Sequence, residues 1–287
     1  MTNYAIDPRT TIGWVALTVS NVERSLAFYV DVLGFVVERR DAGVALRTDE
    51  GEPVILLHEV PGASRKPQRT TGLYHYAIRL PARADLARVL VRLQQTGYGL
   101  QGASDHGVSE ALYLSDPDGN GIEIYRDRPQ AEWPMQDEAL QMGTAPLDVD
   151  DLLAGLRTAP IEWRGMPAGT DIGHVHLHVA DLTAAERFYC EGLGFTVMMR
   201  YGSGALFVGA GGYHHHIGLN TWAGVGAPPP PPDAVGLRHF ALRLPDAPAL
   251  HALAEHLREV GVSTEPVPEG LRVVDPSQNT ILLTAAV

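Results

Sequence analysis

Residues 13–35 read GWVALTVSNVERSLAFYVDVLGF, and residues 173–195 read GHVHLHVADLTAAERFYCEGLGF, the same segment displaced by 160 positions. Two further pairs agree: GLYHYAIRLPARADL at 72–86 with GLRHFALRLPDAPAL at 236–250, and LSDPDGNGIEI at 114–124 with VVDPSQNTILL at 273–283. A repeat of this length decides the organisation before any single element does. It predicts two homologous halves, 1–130 and 171–287, joined by a connector at 131–170. Each half divides again, since 14–60 and 74–126 both run strand, helix, then several strands.

Working outward, VALTV, AIRL and HVHLHV alternate in the manner of β-strands and carry β-branched residues. VERSLAFYVDVL and ADLARVLVRLQQTG place apolar residues at helical spacing and run into glycine, a common helix stop. DPDG at 116–119 is a turn with a mechanism, proline presetting φ and glycine accepting the left-handed region, so it separates two hairpin strands. The expected class is α+β, four βαβββ units in tandem. One short helix is expected in the connector near 149–156, and the five prolines at 228–232 predict an extended surface loop.

Composition narrows the function. With 45% hydrophobic and 20% charged residues, the 287-residue chain has material for packed cores rather than wholesale disorder. A formal charge of −12 repels nucleic-acid phosphates and anionic lipid, so neither is an expected partner. The single cysteine, Cys190, excludes an internal disulfide. No stretch approaches the roughly 20 apolar residues of a membrane span, and no leader pattern stands at 1–11, so the expectation is a cytoplasmic protein. Twelve histidines, clustered, are the compositional oddity.

The tandem units, the FY…LGF pattern on the first helix of each half, and DPDGNGIE before a last strand resemble the vicinal oxygen chelate superfamily. Within it, GYHHHIGLNTW at 212–222 and DHGVSEALYLSDPDGNGIEIY at 105–125 resemble the extradiol catechol 2,3-dioxygenases of the bacterial two-domain type. The resemblance covers nearly the whole chain outside the connector. It implies two domains of cupped mixed sheets, and a metal held in a cup by side chains from the first and last strands of paired units.

Those slots hold Trp14 and Leu57 or His58 in unit one, His75 and Glu123 in unit two, His174 and His216 in unit three, and His239 and Leu282 in unit four. Neither half alone supplies two histidines and a carboxylate, since leucine fills the glutamate slot of unit four and Trp14 replaces a histidine in unit one. Units two and three together do supply them. The resemblance therefore implies His75, Glu123 and His174 as ligands of Fe(II), with Mn(II) as the alternative, the 2-His-1-carboxylate face of non-haem oxygenases. Units one and four would close a degenerate second cup around Trp14, His239 and Leu282.

The family's acid–base histidine corresponds to His216, its active-site tyrosine to Tyr113, and its substrate-contacting histidine to His106. Strand alternation puts His174, His176 and His178 on one face, and His214 and His216 together with His215 turned away; a one-residue slip would bring His215 in instead. His176 and His178 are expected as supporting or surface residues, His239 as a structural relic and His58 at a strand end. Phe28, Tyr29, Phe188 and Tyr189 are expected in the core, Cys190 as inert, and Trp133 and Trp163 either lining the pocket or pinning the connector.

The implied activity is ring cleavage of catechol or a substituted catechol beside its hydroxyls, with a small aromatic diol and dioxygen as partners and a homodimer as the expected assembly. The alternatives are a glyoxalase-like metal-dependent lyase or isomerase, which usually presents two glutamates among the four slots, and a metal-free binding protein of the bleomycin-resistance type.

Overall fold

A computed structural model describes residues 4–40, 43–137, 139–158 and 162–286, so the chain ends and positions 159–161 of the connector lie outside it. Unit one comprises β1 (Thr11–Val19), α1 (Val22–Tyr29), β2 (Val36–Arg40), β3 (Gly43–Arg47) and β4 (Ile55–Glu59). Unit two comprises β5 (Gly72–Arg79), α2 (Arg83–Thr96), β6 (Gly102–Asp105), β7 (Ser109–Ser115) and β8 (Gly121–Asp127). The connector carries β9 (Met135–Gln136), β10 (Ala139–Leu140), β11 (Ala145–Pro146) and α3 (Val149–Ala154), the last continued by a 3-10 turn over Gly155–Thr158. Unit three has β12 (Asp171–His178), α4 (Leu182–Glu186), β13 (Thr196–Tyr201), β14 (Ala205–Gly209) and β15 (Ile217–Asn220). Unit four has β16 (Gly236–Leu244), α5 (Ala247–Glu259), β17 (Glu265–Val267), β18 (Gly270–Val274) and β19 (Thr280–Ala285).

The two large sheets do not follow the two sequence halves. One has eight strands in the order β17-β18-β19-β16-β1-β4-β3-β2, units four and one; the other has nine, β11-β6-β7-β8-β5-β12-β15-β14-β13, units two and three. The halves 1–130 and 171–287 are repeats in sequence, and each gives one unit to each sheet. The seams are antiparallel, β1 against β16 and β5 against β12, while first and last strands within a unit run parallel.

The FY…LGF pattern has a double purpose. Phe28, Tyr29, Leu33 and Phe35 are buried, as are Phe188, Tyr189, Leu193 and Phe195. The glycines at Gly34 and Gly194 take φ of +76° and +84°, and a Cβ there would lie 2.5 Å from Gly165 Cα and 2.7 Å from the Ile6 nitrogen respectively, so only glycine fits. Tyr29 donates its hydroxyl to Asp116 Oδ2 (3.0 Å), and Tyr189 donates to Asp275 Oδ2 (3.1 Å). Each aspartate knits its own turn by accepting from backbone nitrogens two and four residues on, and from the amide of Asn120 or Asn279. The helix of one unit thus locks the turn of the next across the two sheets.

The DPDG turn joins the antiparallel pair β7 and β8 as expected, and the prolines at 228–232 lie in an irregular loop outside any strand or helix. Among the described residues, no helix is long and apolar enough to cross a membrane.

Candidate metal centre and its cavity

Register brings the site together. On the seam, His75 of β5 lies opposite His176 of β12 and beside Gly121 of β8, while Glu123 lies beside Ala77 and opposite Tyr113. Gly121 permits that approach, because a Cβ there would sit 2.2 Å from the Tyr74 carbonyl oxygen. His75, Glu123 and His174, all buried, converge: His75 Nε2 is 3.1 Å and His174 Nε2 3.2 Å from Glu123 Oε2, and the two imidazole nitrogens are 3.4 Å apart. They are the one such ligand cluster among the described residues.

Electrostatics suits a cation. Burial pushes the Glu123 carboxyl up, but His174 and His75 outweigh it and hold the group well below the usual carboxylate range. Burial pushes His174 down to about 4, against the opposing pull of Glu123, so its imidazole is neutral at physiological pH. Its Nδ1 is buried with no hydrogen-bond partner among the described residues. A carboxylate and two imidazoles aimed at one point, with that orphaned nitrogen behind, fit a divalent metal better than they fit a self-sufficient hydrogen-bond network.

A cavity of about 310 Å³ opens over the three residues. Its wall includes Tyr113 and His106 from unit two, Phe207 and His215 from unit three, and Met142 from the connector, with no lysine or arginine on the lining. Tyr74, Tyr201 and Trp222, partly exposed, stand on the same lining. The His106 Nδ1 lies 2.7 Å from the Gly143 carbonyl, which can only accept, so Nε2 is left to accept from the Tyr113 hydroxyl at 2.7 Å. Burial, then the neighbouring Glu123 carboxylate, holds the Tyr113 phenol well above its ordinary value, so it stays protonated.

The triplet of histidines departs from expectation. Residues 214–216 precede β15, so strand alternation does not govern them. His215 faces the cavity, its ring 4.2 Å from that of His174 between centroids. His216 instead turns to the far side, where Nδ1 accepts from the Ala210 N–H (3.2 Å) and the ring lines a separate small cavity with Arg79 and Tyr213. The choice of His216 over His215 as the histidine turned into the cup is therefore corrected.

His176 lines the cavity, but Asn220 Nδ2 donates to its Nε2 (2.9 Å), and His178 Nδ1 donates to Asn220 Oδ1 (2.7 Å), so both serve as supports. In the other sheet, Trp14 Nε1 donates to His239 Nε2 (3.4 Å), Leu282 is buried, and no second cluster of metal-ligating side chains forms among the described residues. Trp133 pins the connector, donating to the Arg128 carbonyl (2.9 Å) and packing on His214, and Trp163 packs toward Gly34; neither lines the cavity. The connector's Met142–Thr144 contribution and the placing of Asp127 and Tyr213 beside His214 were not read from sequence. Asp127 had a signal, standing four residues beyond Glu123 on the same strand face.

The sequence model of the Glyoxalase/Bleomycin resistance protein/Dioxygenase superfamily matches residues 11–124 and 171–281. A catechol-2,3-dioxygenase of Bacillus subtilis (strain 168) is 45% identical over 276 residues, 95% of this chain and 96% of that one. A biphenyl-2,3-diol 1,2-dioxygenase 3 of Rhodococcus globerulus is 38% identical over 126 residues, covering 42% of this chain and 65% of the relative. In fold, the chain is similar to a solved structure from Bacillus subtilis subsp. subtilis strain 168 (TM-score 0.66, 14% identity, 96% of this chain and 84% of that one). It is also similar to glyoxalase I of Zea mays (TM-score 0.58, 14% identity, 96% and 92%).

Proposed function

Because the chain belongs to the glyoxalase/bleomycin resistance protein/dioxygenase superfamily, we propose that it is an Fe(II)-dependent extradiol dioxygenase that opens catechol, or a substituted catechol, beside its hydroxyls. The observation that carries the reading is the convergence of His75, Glu123 and His174 on one point of the cavity. A metal bound there would supply adjacent open positions for the diol and for dioxygen. The chain's own residues do the rest.

Ring opening adds both atoms of dioxygen to catechol and gives a hydroxymuconic semialdehyde, and the diol must first give up its second proton. His215 is placed to take it: burial, then the adjoining His174 and His214, holds the ring well below its ordinary value, so it is a neutral acceptor. Tyr113, whose hydroxyl hydrogen goes to His106, presents its phenol oxygen beside Glu123 as an acceptor for a diol hydroxyl. Val108, Met142, Met199 and Phe207 keep the ring in a water-poor space. A lining with no cationic side chain favours an uncharged ring over a carboxylate-bearing one.

The test is anaerobic reconstitution with Fe(II), then addition of catechol in air while oxygen uptake and the yellow ring-opened product are followed together. One oxygen consumed per product formed supports the assignment. Firm metal binding with no uptake across a panel of catechols would overturn it.

A further inference from the structure

Behind the cavity, three side chains form a line that ring cleavage does not require by itself. His214 lies between Asp127 and His215: its Nε2 is 2.8 Å from Asp127 Oδ1, and its Nδ1 is 2.9 Å from His215 Nδ1. Asp127 ends β8, and His214 and His215 are buried, 1% and 8% exposed. We infer that Asp127 and His214 act as positioning residues that fix the tautomer of His215, leaving an unprotonated Nε2 turned to the cavity.

The argument is one of donors and acceptors. Asp127 receives hydrogen bonds from every neighbour: the Tyr213 hydroxyl on Oδ2 at 2.9 Å, Arg79 Nη1 at 3.4 Å, and His214. Its carboxyl is ionised, since His214 and Arg79 outweigh burial and hold it below the usual range. An ionised carboxylate only accepts, so His214 Nε2 is the donor of that bond. With that one proton on the ring, His214 Nδ1 accepts, and the donor before it among the described residues is His215 Nδ1–H. A neutral imidazole has one N–H, so His215 Nε2 carries a lone pair, and it has no protein partner among the described residues.

A lone pair facing the cavity is what a proton acceptor for the diol needs, so the mechanistic value of the relay rests on the proposed ring cleavage, although the tautomer does not. Long-range proton–nitrogen correlation on the metal-free protein reads the tautomer directly, with the His215 signals assigned by their loss in His215→Gln. The expected pattern is protonated Nδ1 and bare Nε2. In Asp127→Asn the new amide can donate to His214 Nε2, which inverts the chain and moves the His215 proton to Nε2. The iron-loaded variant should keep its metal stoichiometry and KM while kcat falls about 10- to 100-fold.

His214→Gln, whose amide can donate to Asp127 and accept from His215, should keep the parent tautomer and most of kcat, whereas His214→Phe should not. This pair keeps the test open if Asp127→Asn fails to fold. A His215 protonated at Nε2 in the parent, or unmoved in Asp127→Asn, overturns the inference. The expected tautomers in a protein that cleaves no catechol would overturn the functional reading and leave the relay standing.

Discussion

At the scale of single residues, the claim about the metal is the sharpest. His75→Ala and Glu123→Gln should each abolish stoichiometric iron, measured by elemental analysis after dialysis, and His239→Ala should leave it at the parent level. The contrast tests the proposed cup of units two and three against that of units one and four, because His239 is engaged with Trp14 and belongs to no ligand cluster among the described residues. Trp222 makes a second test. It is half exposed on the cavity lining, its ring 5.3 Å from that of Tyr74 in an edge-on contact, well placed to meet a ring substituent. Trp222→Ala should raise KM for an aryl-substituted catechol about three- to tenfold, from the loss of about 1 kcal/mol of aromatic contact, and change KM for catechol little. That His75, Glu123 and His174 come together was legible, because the family's slots in units two and three fall on them. His215 was not, because the rule used for it holds only within a strand and the triplet lies outside one.

Among elements, the tyrosine–aspartate locks carry the prediction. Tyr29→Phe removes the donor to buried Asp116 and the partner of the Tyr76 hydroxyl, 2.8 Å away. It should destabilise the protein by about 1–3 kcal/mol, read from urea unfolding. Tyr189→Phe should cost less, because Phe240 occupies the position repeating Tyr76 and no second hydroxyl is left without a partner. The helices and turns could be read from periodicity and from DPDG, but the hydroxyl bonds that couple them could not, since they cross from one sheet to the other. A titration belongs at this scale too. Burial, with His58 and Arg238 nearby, pushes His239 down to about 4. Its folded pKa lies below the ordinary one, so acid protonates the unfolded chain first. The stability due to neutral His239 is present above about pH 6.5 and lost as pH falls toward 4, by up to about 1.4 kcal/mol per pH unit. His239→Gln should flatten the unfolding free energy across that window.

The whole molecule interleaves its repeats, and this was legible only through an absence: Leu282 where a carboxylate would be needed forced the pairing of units two and three. The connector's share of the cavity was not legible, for its residues 142–144 carry no periodic pattern and are held at the site by bonds between Gly143 and His106. Residues 1–130 produced alone would leave the inner edges of β1 and β5 without β16 and β12. Such a fragment should self-associate or precipitate on size-exclusion chromatography and hold no iron, and mixing with 131–287 should restore a one-to-one complex that does.

His75 and His174, 99 positions apart, meet at 3.4 Å, so an ion seated there would clasp the two ends of a long loop of chain. In effect it would be a removable cross-link between the duplicated parts, acting on the unfolded ensemble as well as on the pocket. Stripping it would open a ring in the topology, and the protein's resistance to heat and to proteases would become a gauge of its metal supply.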